Sequence, residues 1–228
     1  MREVIAVDGP AGSGKSSVCR GAARTLGYRY LDTGAMYRAM TWAVLRAGIP
    51  IDDPVRIAAF AQSPAISSGT DPAAPTIEVD GIDVSGPIRS AEVTAAVSPV
   101  SAVAEVRARL VQIQRQAAAE AVAAGTGIVV EGRDIGTVVL PDADLKIFLT
   151  ADPAVRALRR AREETSDDVP ADGDVSATQQ ALIARDAYDS TRAASPLTQA
   201  PDAVVVDTTE MTLDEVIARV CELADASQ

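Results

Sequence analysis

Residues Gly9-Pro-Ala-Gly-Ser-Gly-Lys-Ser16 fit the pattern G-x-x-x-x-G-K-[S/T], which restricts the surrounding fold more than any other segment of the chain. Val4 to Val7, just ahead of it, is a short β-branched and apolar run ending at Asp8, the signature of a buried strand. Behind it, Lys15 to Leu26 reads as a helix. Strand, glycine-rich turn and helix in that order form an anion cradle. The glycines let backbone N–H groups turn inward. The helix N-terminus adds its dipole and free amides. Lys15 supplies a point charge near the outer phosphates, and the Ser16 hydroxyl can ligate Mg²⁺. Residues Gly9, Pro10, Ala11, Gly12, Ser13, Gly14, Lys15, Ser16 and Ser17 are therefore the expected nucleoside-triphosphate site, with Ser16 the expected metal ligand.

The rest of the chain repeats the strand–helix rhythm. Tyr28–Leu31, Ile128–Glu131, Leu145–Leu149 and Ala203–Val206 read as strands separated by helical sequence. Such alternation predicts a parallel sheet with helices on both faces, an α/β fold. Thr33 is the expected N-cap of a helix running to Ala47 and stopping at Gly48. Ser98-Pro99 is expected to open a long helix, Ser as N-cap and Pro at N1, with Val103, Val106, Leu110, Ile113 and Ala117 as its apolar stripe. Ala154–Glu164 and Ser176–Ala193 read as two further helices around an acidic loop, Ser166 to Asp174.

From about Ala61 to Val97 the rhythm breaks into sequence rich in Pro, Ser, Gly and Asp. Inside it Asp80-Gly81 is a favoured type I′ turn pair. It sets Val79 opposite Ile82 and Ile77 opposite Val84, an antiparallel hairpin outside the main sheet.

Composition excludes whole classes of chemistry. The 228 residues contain no histidine, which removes histidine triads, histidine metal clusters and histidine acid–base catalysis. The net charge of −11 opposes a general nucleic-acid or membrane-surface binder. Cys19 and Cys221 are too few for a disulfide framework and fit a reducing, cytoplasmic setting. No apolar run approaches the ~18 residues of a membrane span, and the first residues carry no signal-peptide pattern.

An acidic chain that handles phosphates must gather its positive charge locally. A guanine-reading Asn-Lys-x-Asp is missing, since Lys146 lies in Asp144-Leu-Lys-Ile147 and the other lysine is Lys15. After Ile128-Val-Val-Glu131 comes Gly132-Arg133-Asp134, and an arginine at that strand's C-terminal end points to a second anion. Arg185, Asp189 and Arg192 recur at i, i+4 and i+7 on one helix face.

Taken together, Asp8-Gly-Pro-Ala-Gly-Ser-Gly-Lys-Ser-Ser17, Leu31-Asp-Thr-Gly-Ala-Met-Tyr-Arg38, Asp83-Val-Ser-Gly-Pro-Ile-Arg89, Glu131-Gly-Arg-Asp-Ile-Gly-Thr-Val-Val139, Pro141-Asp-Ala143 and Arg185-Asp186 with Arg192 resemble the bacterial cytidylate kinases over essentially the whole chain. The resemblance implies a nucleoside-monophosphate kinase fold with a five-stranded parallel sheet of order 2-3-1-4-5. It also implies a core of residues 1–60, 98–154 and 181–228, a monophosphate-binding β insert at 61–97 and a helical lid at 155–180. It implies transfer of the γ-phosphoryl of ATP to CMP or dCMP, with Mg²⁺, by a cytoplasmic monomer without nucleic-acid or membrane partners.

Carried over by position, Thr33, Arg38, Arg133 and Arg192 would hold the CMP phosphate. Ser98, Arg107 and Asp134 would contact cytosine, Arg185 and Asp189 the ribose hydroxyls, and Tyr37 would belong to the same acceptor site. Arg156, Arg159 and Arg160 would close with the lid on the transferring group, beside Lys15, Arg133 and Arg192 in the catalytic set. Two other readings start from the same residues. One is a kinase for another small acceptor such as UMP. The other is a nucleotide-regulated binding module without transfer activity, which a paired donor loop and acceptor constellation argue against.

Removing the Lys15 charge tests the donor loop. Lys15→Ala is expected to lower turnover by at least ~10³-fold, since removing one preorganised charge contact costs about 3–4 kcal/mol or more. Circular dichroism should be unchanged. Near-normal turnover of the purified variant would remove the phosphate-loop assignment.

Overall fold

The computed structural model describes residues 3–165, 172–191 and 196–227, with the side chains of 163–165, 172–175 and 185 outside that description. Five strands form the central sheet: β1 (Val4–Asp8), β2 (Arg29–Asp32), β6 (Ile128–Gly132), β7 (Leu145–Thr150) and β8 (Val204–Asp207). Their order is β2-β6-β1-β7-β8, every pairing parallel. Numbered within this sheet alone, that order is the expected 2-3-1-4-5. Parallel pairing requires both faces to be covered, and two apolar layers do this. On one face α1 (Lys15–Leu26) and α8 (Leu213–Ala226) pack with Ile5, Val7, Ile147 and Leu149. On the other face Ala6, Leu31, Ile128 and Val130 meet α2 (Thr33–Arg46), α3 (Pro54–Phe60), α4 (Ala91–Ala102) and α5 (Ala104–Ala123). The sheet's carboxyl edge therefore collects the loops after β1, β2 and β6 at one rim, where ligands sit in open α/β folds.

The β insert has three strands, not two. β4 (Ile77–Val79) and β5 (Ile82–Asp83) form the expected hairpin, with Asp80 at φ 52° and Gly81 at φ 77°, the two positive angles that a type I′ turn demands. β3 (Ile66–Ser68) pairs antiparallel with β4 on its other side. Ile77, Val79 and Val84 are buried against the core, whereas Ile82 at the turn is 57% exposed. The strand β3 is too short and too polar to stand out in the sequence. Its register comes from tertiary pairing.

Two expected helix caps are not caps. Asp32, not Thr33, caps α2, its Oδ1 accepting the Ala35 N–H at 2.9 Å. Thr33 is the first helical residue, and its hydroxyl is committed elsewhere, donating to the Glu131 carbonyl at 2.6 Å. Ser98 and Pro99 open no helix. They lie inside α4, which is capped by Ser90 accepting the Val93 N–H at 3.3 Å. Burial of Val93, Val97 and Val100 along α4 outweighs the lost proline hydrogen bond. The break falls instead at Val103, an extended residue (φ −69°, ψ 125°) from which α5 departs. The expected stripe on α5 holds at Val103, Val106 and Leu110, which are buried, with Ile113 and Ala117 packed against the core.

The two later helices are α6 (Pro153–Thr165) and α7 (Asp172–Thr191), the latter starting four residues before the expected Ser176. Residues 166–171 of the expected acidic loop lie outside the described residues. Among the described residues no helix is long and apolar enough to cross a membrane.

Candidate active site

Gly9 starts the phosphate loop in a backbone conformation that tolerates no side chain. Its φ is 154°, and a Cβ there would lie 2.1 Å from the Leu149 carbonyl oxygen of β7. The chain can turn out of β1 only because nothing projects at that point. Gly14, at φ 81°, occupies the N-cap position of α1, so the helix opens at the loop with its amides facing the cleft. The Lys15 side chain folds back over the loop, donating to the Pro10 carbonyl at 2.6 Å and to Ser13 Oγ at 3.2 Å. It is 7% exposed. Burial and then the neighbouring Arg133 charge push its pKa well down from the usual lysine range.

Glu131, at the end of β6, faces Lys15 and is itself buried. Burial and the Asp32 carboxylate push its pKa up, while Lys15 and hydroxyl donors oppose the shift. Tyr30 donates to its Oε1 at 2.5 Å, and the Ser16 hydroxyl donates to it as well. A serine hydroxyl with one carboxylate in contact and a second, Asp32, nearby on the cleft wall makes an all-oxygen donor set. Those ligands fit Mg²⁺.

A cleft of about 1270 Å³, its open mouth included, runs from the phosphate loop to the start of α5. Residues Ala11 to Ser17 line one end. At the other end Tyr37 and Arg38 of α2, Ser98 of α4 and Arg107 of α5 converge with Arg133 and Asp134. Thr33, Arg160 and Asp189 also line it. Gly9 and Pro10 lie at the base of the loop, behind its lining. Of the three expected lid arginines, Arg160 alone reaches the cleft wall. Arg156 bonds to the Ala11 carbonyl at 3.0 Å, and Arg159 bonds to the Thr208 hydroxyl and carbonyl at 2.8 and 2.7 Å. Arg192 and the Arg185 side chain lie outside the described residues.

The end of the cleft away from the phosphate loop is built around a buried ion pair. Arg107 and Asp134 contact each other with both side chains 5% exposed. Arg107 also donates to the Ser101 carbonyl at 3.3 Å, and its guanidinium sits 5.3 Å from the Tyr37 ring centroid. The mutual attraction of such a pair is largely offset by the cost of desolvating both ions, but stripping one partner strands the other at a cost of about 3–5 kcal/mol. Arg38 donates to the Ile88 carbonyl at 3.2 Å and to Thr94 Oγ1 at 2.9 Å, tying α2 to α4 and to the turn after the hairpin. Arg133 donates from Nε to Asp189 Oδ2 at 3.2 Å. Thus α2, α4, α5, α7 and the loop after β6 each contribute one or more polar side chains to a single rim.

Four contributors escape a reading of the sequence. Arg89, after the hairpin, lines the cleft, as do Asp32 and Glu131. Arg89 sits within the quoted Pro-Ile-Arg segment, so the signal was present without a role attached. Asp8 is the fourth. At the end of β1 it is buried and accepts the N–H groups of Ile135 and Gly136, each at 2.8 Å. These bonds anchor a wide helical turn over Ile135–Val139, in which the Leu140 N–H reaches the Ile135 carbonyl at 2.7 Å. Arg133 and Asp134 immediately precede that turn, so Asp8 fixes their position from beneath.

The sequence profile of the family described as cytidylate kinase matches residues 5–226. A cytidylate kinase of Streptomyces griseus subsp. griseus is 57% identical over 225 residues, covering 99% of this chain and 94% of the relative. A cytidylate kinase of Streptomyces coelicolor is 58% identical over 97% of this chain and 92% of its own length. One from Mycobacterium leprae is 53% identical over 96% and 94%. The solved structure of an uncharacterised protein from Eubacterium ventriosum covers 99% of both chains at a TM-score of 0.52 and 12% identity, a likeness of fold.

Burial raises the Asp8 pKa from 3.8 to about 6, against the two amide bonds that favour its charge. A carboxyl whose pKa is higher in the folded state stabilises the fold most at low pH, and that contribution fades as pH rises through the folded value. Relative to Asp8→Asn, wild type should lose about 2 kcal/mol of stability between pH 4 and pH 6, at 1.36 kcal/mol per unit of pKa difference. Urea unfolding of both proteins across that range measures the difference. A pH-independent gap between them would contradict a raised pKa at Asp8.

Proposed function

This chain belongs to the cytidylate kinase family, and we propose that its cleft carries the γ-phosphoryl group of ATP to CMP or dCMP, giving ADP and CDP or dCDP. It is an ATP-dependent nucleoside-monophosphate kinase, a phosphotransferase. One observation carries the residue assignments: a single cleft holds the phosphate loop at one end and, at the other, an anion-binding arginine beside a buried carboxylate–guanidinium pair.

The donor triphosphate lies on the amides of Gly12 to Ser17 with Lys15 against its outer phosphates. Ser16, with Glu131 and Asp32 behind it, would hold Mg²⁺, which when bound would neutralise charge on the phosphate oxygens. The acceptor phosphate is held by Arg38, Arg133, Thr33 and Arg192, the ribose by Arg185 and Asp189. Ser98, Arg107 and Asp134 read the base, with Tyr37 stacked beneath Arg107. Arg160 carries the lid's charge to the transferring group. Arg156 and Arg159, engaged on Ala11 and Thr208, hold the donor loop and the turn before α8. The attacking atom is a phosphate oxygen of the acceptor, already ionised at pH 7, so a chain without histidine lacks nothing. Rate then comes from positioning and charge stabilisation. Closure of residues 155–180 keeps water from taking the phosphoryl group. The enzyme works as a cytoplasmic monomer, and both cysteines are free thiols, as a reducing compartment favours.

Base choice follows from the ion pair. Cytosine presents an amine at position 4 and uracil a carbonyl. A buried carboxylate accepts from the first and repels the second, leaving polar groups unpaired. Wild type should favour CMP over UMP in kcat/KM by at least ~10-fold, a gap of about 1.4 kcal/mol. Asp134→Asn is the appropriate variant, because it keeps the side-chain volume beside buried Arg107 where alanine would leave a gap. It should lose CMP activity much more than UMP activity. Equal rates with the two acceptors in wild type, or an unchanged ratio in the variant, would overturn the base-reading role of Asp134. A wild type that turns over UMP faster would favour the alternative acceptor.

A further inference from the structure

Helix α7 turns one face toward the phosphate loop and the loop after β6. Leu182, Asp186 and Asp189 recur at i, i+4 and i+7. Leu182 packs with Ala11 and Ala157, while Ile183 and Tyr188 are 51% and 40% exposed on other faces. Asp186 Oδ1 accepts the Ala11 N–H at 3.0 Å. Its other oxygen pairs with the Arg156 guanidinium, and Arg156 in turn donates to the Ala11 carbonyl at 3.0 Å. A second Arg156 bond, 3.1 Å to the Ala151 carbonyl, fixes the guanidinium to the end of β7. Both backbone polar groups of one phosphate-loop residue are thus held by two charged side chains that also hold each other.

Less than one turn further on, Asp189 accepts from Arg133 Nε at 3.2 Å, and its carbonyl oxygen accepts the Leu197 N–H at 2.8 Å. The same face of α7 therefore grips the donor loop through Asp186 and the acceptor cation through Asp189. The approach is close enough to leave no slack. A Cβ on Gly12 would lie 2.8 Å from the Arg156 carbonyl oxygen and 3.2 Å from Leu182.

We propose that Asp186 is a positioning residue that couples the two substrates, tying the seating of the phosphate loop at Ala11 to occupation of the acceptor site. The proposal rests on the assignment of Arg133 and Asp189 to CMP made above. CMP takes Arg133 by its phosphate and Asp189 by its ribose and so fixes the register of α7. Asp186, three residues away on the same rigid turn, then fixes Ala11, and the amides from Gly12 onward follow it in the chain. Asp186 stands behind the loop and touches neither substrate. By linkage, ATP must tighten CMP by the same factor that CMP tightens ATP.

Titration calorimetry of the full chain with Mg²⁺ and the non-hydrolysable donor AMPPNP, with and without saturating CMP, measures that factor. CMP should tighten AMPPNP by at least about 5-fold in wild type, and by less than about twofold in Asp186→Ala. CMP binding alone should change by less than about twofold in the variant. Asp186→Asn keeps an oxygen for the Ala11 N–H but no charge for Arg156, and its coupling should fall between the two. A variant that loosens both ligands while keeping the wild-type factor would show a merely structural residue and overturn the proposal. So would a wild type that binds both ligands without coupling. If Asp186→Ala does not fold, wild-type coupling in Asp186→Asn overturns it equally. A wild type that binds AMPPNP but not CMP is a different result. It removes the acceptor assignment, and this proposal falls with it.

Discussion

Lys15 is 7% exposed, and taking its charge out of water costs several kcal/mol unless other groups replace the solvent. The Pro10 carbonyl and Ser13 hydroxyl supply two hydrogen bonds, and Glu131 supplies the opposing charge. Glu131 is in turn buried and must be satisfied by Tyr30 and Ser16. Its backbone carbonyl takes the Thr33 hydroxyl. One desolvated cation at the start of α1 thereby fixes groups on β2, α2 and β6. A bound phosphate, more negative than any of these partners, would find a cation already stripped of water.

The same economy operates at the acceptor end, where a protein of net charge −11 must hold a second anion. Arg107 is neutralised by Asp134, and Arg133 is paired with Asp189. Each cation is held by a carboxylate, and in the proposed acceptor site those carboxylates also meet donor groups on the base and sugar. Positive charge is thus concentrated at one rim, with Arg107 and Arg133 each restrained by a carboxylate. Asp8 supports this end from below by fixing the turn that follows Asp134.

Much of this was legible in the sequence because it depends on local chemistry. The phosphate loop announces itself by glycine spacing and flanking apolar runs, and the strand–helix rhythm fixes the parallel sheet and, with the family resemblance, its order. The Asp80-Gly81 turn was readable because a type I′ hairpin turn needs positive φ at both central residues, which an Asp-Gly pair adopts readily. What was not legible depends on contacts distant in the chain. Asp8 reaches residues 127 and 128 positions away, and Asp186 reaches one 175 positions away, with no local pattern to betray them. The helix starts went astray for a related reason. Thr33 and Ser98-Pro99 have the composition of a cap, but the Thr33 hydroxyl finds Glu131 and the buried valines of α4 carry that helix through Pro99.

Donor and acceptor sites that share one rim, with no nucleophilic side chain proposed between them, require the phosphoryl group to pass directly from one substrate to the other. Initial rates measured over a grid of ATP and CMP concentrations test this most directly. Double-reciprocal lines that intersect, with both substrates bound before any product leaves, are the expected result. Parallel lines, with ADP released before CMP binds, would signify a phosphorylated enzyme and contradict direct transfer within a single cleft.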